Sequence, residues 1–163
     1  MSETAADAGE VKNKPEVKEA DHHPYVKPKD AATLILIDRS GAVPKVLVGK
    51  RHDKVVFMPG KFVFPGGRVD KSDHRIPAAA PMPHELEANL FKGRPKTSVS
   101  RAKSLAIAAI REACEETGLC LGRKADAAPR LDGPWAPFAE AGLLPDPSGL
   151  FPVSYTHLTL PTN

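Results

Sequence analysis

The stretch "REACEETGL", residues 111–119, places three glutamates just before a glycine at the end of a predicted helix. The segment before it, "SRAKSLAIAAI" (100–110), is rich in alanine and has branched apolar residues at helical spacing, which predicts a helix. Thr97 or Ser98 can cap the start of this helix, and Gly118 suits the left-handed residue that closes one. At 100° per residue, one face carries small or branched residues: Ile107, Ile110, Ala113, Cys114 and Thr117. The other face carries the glutamates: Glu112, Glu115 and Glu116.

These glutamates oppose the helix that carries them. Glu112 and Glu116 are like charges four residues apart, which costs a few tenths of a kcal/mol. All three also lie at the negative end of the helix dipole, at a cost of roughly 0.3–1 kcal/mol each, and Arg111 can offset one charge through Glu115. A solvated charged face is the alternative interpretation. A cluster that opposes its own helix favours a bound divalent cation instead, and carboxylate oxygens suit Mg²⁺ or Mn²⁺.

Three apolar stretches upstream predict strands: "AATLILID" (31–38), "VLVGKR" (46–51) and "KFVFPGGRVD" (61–70). The third is predicted to end at Pro65-Gly66-Gly67. This triplet is typical of an ordinary turn, but a double glycine also lets backbone carbonyls approach a bound ion or phosphate closely.

Bulk properties limit the classes of protein to consider. The 163 residues allow one domain, and the net charge of +3 marks no nucleic-acid patch. No stretch is apolar enough to span a membrane, and the N-terminus lacks the apolar run of a signal peptide, so the cytoplasm is expected by default. Two cysteines do not make a disulfide framework, and Cys114 is predicted to be a small core residue.

The chain divides into three parts by composition. Residues 1–29 are polar and predict a disordered leader, and 30–152 form the domain. Within the domain, a proline- and alanine-rich insertion (about 74–97) contains a predicted short helix, "HELEANLF", and either shapes substrate choice or is a loop without consequence. Another short helix is predicted around 135–141. The tail "VSYTHLTLPTN" (153–163) resembles a translated sequencing adaptor, so we expect it to be non-native and the native protein to continue past about Phe151.

The motifs together resemble the signature of the Nudix hydrolase family, G-x5-E-x7-R-E-U-x-E-E-x-G-U, where U is a bulky aliphatic residue. Gly67 corresponds to the first glycine, and residues 111–119 match the second half except at Ala113. Asp73 occupies the place of the first glutamate, and 37 residues separate it from Arg111 where the signature has 7. This interrupted box is similar to the branch that contains the coenzyme A diphosphatases.

The resemblance implies an α/β fold, a Nudix-type α/β/α sandwich with a mixed sheet whose C-terminal part is truncated here. It implies Mg²⁺- or Mn²⁺-dependent cleavage of a nucleoside diphosphate linked to another group, with coenzyme A and acyl-CoA as candidate substrates. The implied metal ligands are three carboxylates and one backbone carbonyl: Glu112, Glu115, Glu116 and Gly66. Glu115, Glu116 and Arg111 would be catalytic, with Arg111 orienting a glutamate. Gly67, Asp70 and Asp73 would support the substrate, the two aspartates at the mouth of the site.

Two rival interpretations remain open at this point. The chain could be a non-catalytic Nudix-like domain that binds a nucleotide for regulation, or an inactive truncated fragment. The expected partner is a small-molecule nucleoside diphosphate derivative, with no nucleic acid and no membrane. A homodimer is a candidate assembly, because many relatives pair.

Overall fold

The structure is a computed structural model that describes residues 29–54, 59–92, 98–127 and 129–153. Its strands are β1 (Ala31–Thr33), β2 (Ile37–Asp38), β3 (Lys45–Val46), β4 (Gly49–Lys50), β5 (Phe62–Val63), β6 (Gly66–Arg68), β7 (Gly122–Lys124) and β8 (Leu143–Pro145). Its α-helices are α1 (His84–Phe91), α2 (Val99–Thr117) and α3 (Ala136–Glu140). Three single 3₁₀ turns cover Ser72–His74, Gly133–Trp135 and Pro147–Gly149. Nearly all of the predicted leader and of the predicted tail lies outside the described residues.

Helix α2 begins and ends where its sequence predicts. The Ser98 hydroxyl accepts a hydrogen bond from the Arg101 N–H at 3.2 Å, which satisfies one of the free donors at the helix start. Gly118 closes the helix in the left-handed conformation, with φ of +74°, and its N–H donates to the Cys114 carbonyl. The shorter predicted helices are also confirmed: α1 covers "HELEANLF", and α3 lies within the predicted 135–141.

Helix α2 is buried on two sides over its central turns. The predicted apolar face is buried from Ala106 to Cys114, as expected from its periodicity. Ala108 and Ala109, one turn before the glutamates on the opposite face, are buried as well. The helix packs against β1 and β6, against the Ser72–His74 turn and against α1. The glutamates are therefore held on the most thoroughly packed element among the described residues.

The strands pair antiparallel in four two-stranded sheets: β1 with β6, β2 with β3, β4 with β5, and β7 with β8. The α/β class is confirmed, and the pairs appear in place of one continuous mixed sheet within the described part of the chain. The third predicted strand ends where expected, since β5 stops at Val63, but Gly66 and Gly67 do not form a turn, because Gly66–Arg68 is the separate strand β6 beside β1. Pro65 has no N–H to donate, and it lies between β5, which pairs with β4, and β6, which pairs with β1.

The hydrophobic core lies between α2 and the segments on either side of it in sequence. Trp135 and Phe138 are fully buried with ring centroids 5.2 Å apart, and they pack near Ile107 and Ile110. The insertion contributes Ile76 and Leu86 to the same cluster, while Met82 and Leu90 pack against it. The insertion thus contributes side chains to the core, which differs from a loop without consequence, while a role in substrate choice stays a prediction.

Leu86→Ala tests this role of the insertion. We expect it to lower the free energy of unfolding by about 2–4 kcal/mol, because it removes apolar contacts and leaves a cavity. Leu119→Ala is the matched control, since Leu119 is 54% exposed whereas Leu86 is 8% exposed, and it should change stability by less than about 0.5 kcal/mol. Urea denaturation of the three proteins measures the difference. Equal values for the two variants would show that the insertion is not part of the cooperative core.

The two cysteines form a disulfide, with Cα atoms 4.5 Å apart. Cys114 is buried in the core, as predicted, and Cys120 packs against the same cluster. This bond is not predictable from the sequence, because two cysteines make no framework and their pairing depends on the turn after α2.

The strand pairs β2–β3 and β4–β5 are exposed and carry apolar side chains. Ile37 and Val46 face each other across the first pair and are each 48% exposed, and Phe62 in β5 is 71% exposed. These pairs therefore contribute little to the core that surrounds α2. No helix among the described residues is long and apolar enough to cross a membrane.

Candidate metal-binding and hydrolytic site

Arg111 is the centre of the site. Its guanidinium donates two hydrogen bonds to Asp73, from Nε to Oδ1 at 2.9 Å and from Nη2 to Oδ2 at 3.1 Å. Nη2 also donates to the Arg68 carbonyl at 2.8 Å. Nη1 donates to Glu112 Oε1 at 2.8 Å and to Glu115 Oε2 at 3.0 Å. One buried side chain thus joins the strand β6, the Ser72–His74 turn and two of the three glutamates.

The environment of Arg111 stabilises its charged form. Burial works against the charged form, but hydrogen bonds and electrostatic attraction from Asp73 and Glu112 outweigh burial, so the pKa of Arg111 lies above its ordinary value. The guanidinium therefore stays protonated at any pH at which the protein folds. Its fork geometry suits simultaneous bonds to a bidentate carboxylate and to further acceptors.

Asp73 lies behind the site and not at its mouth. The residue is fully buried, and both of its carboxylate oxygens accept hydrogen bonds from Arg111. Oδ2 accepts a further bond from the Asp70 N–H at 2.8 Å. The shorter aspartate side chain therefore reaches Arg111 in the place where the family signature has glutamate. The expected location at the mouth is corrected, while a supporting role stays a prediction.

Asp70 shapes the turn that carries Asp73. Its Oδ1 accepts from the Ser72 N–H at 2.8 Å and from the Ser72 hydroxyl at 2.7 Å. The Ser72 backbone bond, followed by the hydroxyl bond, lowers the pKa of Asp70 below its ordinary value. Because Asp70 is exposed, it can be ionised at the surface while the turn directs Asp73 inward.

The double glycine lies directly against the glutamates. The Gly66 N–H donates to Glu116 Oε2 at 3.2 Å. A Cβ atom on Gly67 would overlap the carboxylate of Glu112. On the opposite side, a Cβ on Gly66 would lie 2.5 Å from the Ala32 carbonyl oxygen and 2.7 Å from the Thr33 Cα. Strand β6 therefore needs glycine at Gly66, beside the backbone of β1, whereas a side chain at Gly67 would have to displace the flexible carboxylate of Glu112.

The site residues offer carboxylate oxygens, which are donors that suit a hard divalent cation. Glu112 and Glu115 each use one oxygen to accept from Arg111, and Glu116 uses one to accept from Gly66, which leaves a second oxygen on each carboxylate. Carboxylate oxygens are the ligands that Mg²⁺ and Mn²⁺ prefer. Within the described ranges, no three histidine, cysteine or acidic side chains converge into a ready-made metal site. The donors are adjacent but are not directed at one point.

Gly66→Ala tests the close fit of β6. We expect it to lower the free energy of unfolding by about 1–3 kcal/mol, because the new methyl group meets the backbone of β1 and not a flexible side chain. Gly149→Ala is the matched control, since a Cβ there meets nothing within 4 Å. Thermal unfolding of both variants measures the effect. A Gly66→Ala protein as stable as Gly149→Ala would mean that β6 and β1 can separate without cost.

The structure brings together the predicted site residues: the double glycine, Arg111 and the glutamates. The Arg68 carbonyl was not predicted as a partner of Arg111. No sequence signal could identify that group, because every residue has a carbonyl. The N–H of Gly66, rather than a carbonyl, is the group seen to contact a glutamate, so the expected ligand role of the Gly66 carbonyl stays a prediction.

No protein-family model matches the chain, and no curated protein matches it. Among solved structures, the chain is similar to the crystal structure of a NUDIX hydrolase from Alicyclobacillus acidocaldarius, with 27% sequence identity and a TM-score of 0.48. The similarity covers 75% of this chain and 58% of that chain. The chain thus spans less than two thirds of the length of the structure it matches.

Proposed function

We propose that this chain is a Nudix-type pyrophosphohydrolase, which cleaves the phosphoanhydride bond of a nucleoside diphosphate linked to another group. The Arg111 network carries the proposal. It joins the R-E-x-x-E-E segment of α2 to the glycine strand β6 and to Asp73, across an insertion that separates these motifs in sequence. A buried arginine with five hydrogen bonds is costly to assemble, and a charged surface face would not require it.

The site is proposed to bind Mg²⁺ or Mn²⁺ through the carboxylates of Glu112, Glu115 and Glu116, with the Gly66 carbonyl as a further ligand. The cation would stabilise, as a Lewis acid, the negative charge that develops on the phosphate oxygens. The unfavourable grouping of three acids at the negative end of α2 is then offset by the cation.

The residues of the chain have distinct tasks in this proposal. Arg111 fixes the orientation of Glu112 and Glu115, since it bonds one oxygen of each. Asp73 holds Arg111 from behind through two hydrogen bonds. Glu115 and Glu116 are exposed, whereas Glu112 is partly buried. Glu115 and Glu116 are therefore the candidates to orient an attacking water and take up its proton.

The substrate is proposed to be small and anionic, with coenzyme A or an acyl-CoA as the first candidates because of the interrupted box. Such nucleotides are made and used inside cells, so the cytoplasm is the proposed compartment. A homodimer is the proposed assembly. The alternative of a regulatory nucleotide-binding domain would share the same glutamates but would not turn over a substrate.

The test is a hydrolysis assay of the purified chain with Mg²⁺ or Mn²⁺ and a panel that includes coenzyme A, ADP-ribose and NADH. We expect one class of compound to be split into two phosphate monoesters, with no turnover after the cation is removed by a chelator. Binding of a nucleotide and of Mn²⁺ without hydrolysis would favour the regulatory alternative. Failure to bind Mn²⁺ at all would contradict the site itself.

A further inference from the structure

The disulfide between Cys114 and Cys120 encloses two of the proposed metal ligands. Cys114 lies on α2 between Glu112 and Glu115, and Cys120 lies just beyond the helix end. Glu115 and Glu116 are therefore inside the short covalent ring that the bond closes. Neither sulfur has a task in the proposed hydrolysis, so the bond has no part in that chemistry.

We propose that Cys114 and Cys120 form a reversible thiol–disulfide site whose oxidation fixes the last turn of α2 and strengthens cation binding by Glu115 and Glu116. The effect on the cation rests on the proposed function. The reversible modification itself does not depend on the proposed function.

Without the disulfide, the last turn is held by local hydrogen bonds and by the bond from the Gly66 N–H to Glu116 Oε2 at 3.2 Å. The Gly118 N–H donates to the Cys114 carbonyl at 2.8 Å, and the Thr117 hydroxyl donates to the Ala113 carbonyl at 2.5 Å. The Leu119 N–H donates to the Thr117 hydroxyl at 3.2 Å. Helix ends held by such bonds fray readily. Glu115 and Glu116 then each keep one hydrogen bond, from Arg111 and from Gly66, but a fraying turn leaves their second oxygens less fixed.

The disulfide adds a link to a second, separately anchored segment. Leu121 follows Cys120, and its carbonyl accepts from the Asp146 N–H at 3.1 Å. Strand β7 then pairs with β8 over three residues. Oxidation therefore ties the end of α2 to the β7–β8 pair. Glu115 and Glu116 are then ordered before a cation binds, so that less conformational entropy is lost on binding.

The reaction is thiol–disulfide exchange with a small-molecule disulfide, RSSR. The Cys120 thiolate, which is the more exposed of the two, attacks one sulfur of RSSR, the S–S bond breaks and one RS⁻ leaves. The Cys114 thiolate then attacks the Cys120 sulfur of the mixed disulfide, and the second RS⁻ leaves. In total the two protein thiols lose two protons and two electrons, and RSSR is reduced to two RSH. A dithiol reverses both steps.

The experiment compares the full chain after treatment with dithiothreitol and after treatment with oxidised glutathione. Alkylation and mass spectrometry count the free thiols, and electron paramagnetic resonance measures Mn²⁺ binding without a substrate. We expect two thiols in the reduced protein, none in the oxidised protein, and a Kd for Mn²⁺ about threefold or more lower in the oxidised form. Cys120→Ser is the matched control and should keep the reduced-form Kd under both treatments.

Two free thiols after oxidation would overturn the modification, and a formed disulfide with an unchanged Kd would overturn its effect on the site. If Cys120→Ser does not fold, Cys120→Ala replaces it. Absence of Mn²⁺ binding in both states would overturn the proposed metal site and the coupling, while the thiol count would still decide the modification. Mn²⁺ binding with no hydrolysis of any nucleotide would contradict the proposed function and leave the redox effect measurable.

Discussion

Arg111→Met is expected to lower the free energy of unfolding by about 3–5 kcal/mol, because it leaves the charge of Asp73 buried without its partner. Asp73 is fully buried and receives two of the five hydrogen bonds that Arg111 makes. Such a loss is a large part of the 5–15 kcal/mol that stabilises an ordinary domain. Urea denaturation at neutral pH measures the loss. Methionine keeps most of the side-chain volume, so a cavity is not the main cause.

Arg101→Met is the matched control for this change. Arg101 also makes two hydrogen bonds to one aspartate, Asp30, at 2.5 and 2.6 Å. Its pair is partly exposed, with side chains 41% and 29% accessible, and so this variant should lose less than about 1 kcal/mol. Adding Asp73→Asn to Arg111→Met should recover part of the loss, since it removes the buried charge. Equal losses of stability in Arg111→Met and Arg101→Met would contradict a special contribution of the buried Arg111–Asp73 pair.

The parts of the fold that depend on local sequence were predictable. Helix α2 is specified by its own apolar periodicity, by Ser98 at its start and by Gly118 at its end. The grouping of the three glutamates follows from helical geometry alone. Their closeness to the double glycine does not follow from helical geometry. It was expected only because the motifs resemble a family signature.

The parts that depend on contacts distant in sequence were not predictable. Asp73 and Arg111 are separated by 37 residues, and nothing in the sequence indicates that the intervening segment folds back into the core. Gly66 belongs to a strand because β1 lies beside it, whereas the local triplet Pro65-Gly66-Gly67 is typical of a turn. In both places tertiary packing, and not the local sequence, determines the conformation of the chain.

Glu116→Gln is expected to reduce hydrolysis by roughly 10²–10³-fold, because loss of a charged ligand removes several kcal/mol of transition-state stabilisation. Glutamine keeps the length and the oxygen that can accept from the Gly66 N–H, a bond of 3.2 Å. The fold should therefore stay intact, and a free energy of unfolding equal to or above the parent value is expected, since one like charge is removed from the helix end. The rate is measured with the substrate that the panel identifies, and Mn²⁺ binding is measured in parallel.

Glu140→Gln is the control for the loss of one negative charge, since Glu140 is an exposed glutamate on α3 outside the site. It should change the rate by less than about twofold, because surface substitutions away from special features have small effects. A Glu116→Gln protein that hydrolyses the substrate as fast as Glu140→Gln would remove Glu116 from the reaction. If Glu116→Gln bound Mn²⁺ normally but was inactive, Glu116 would act on the water and not on the cation, and Glu112 and Glu115, which Arg111 already orients, would be the ligands.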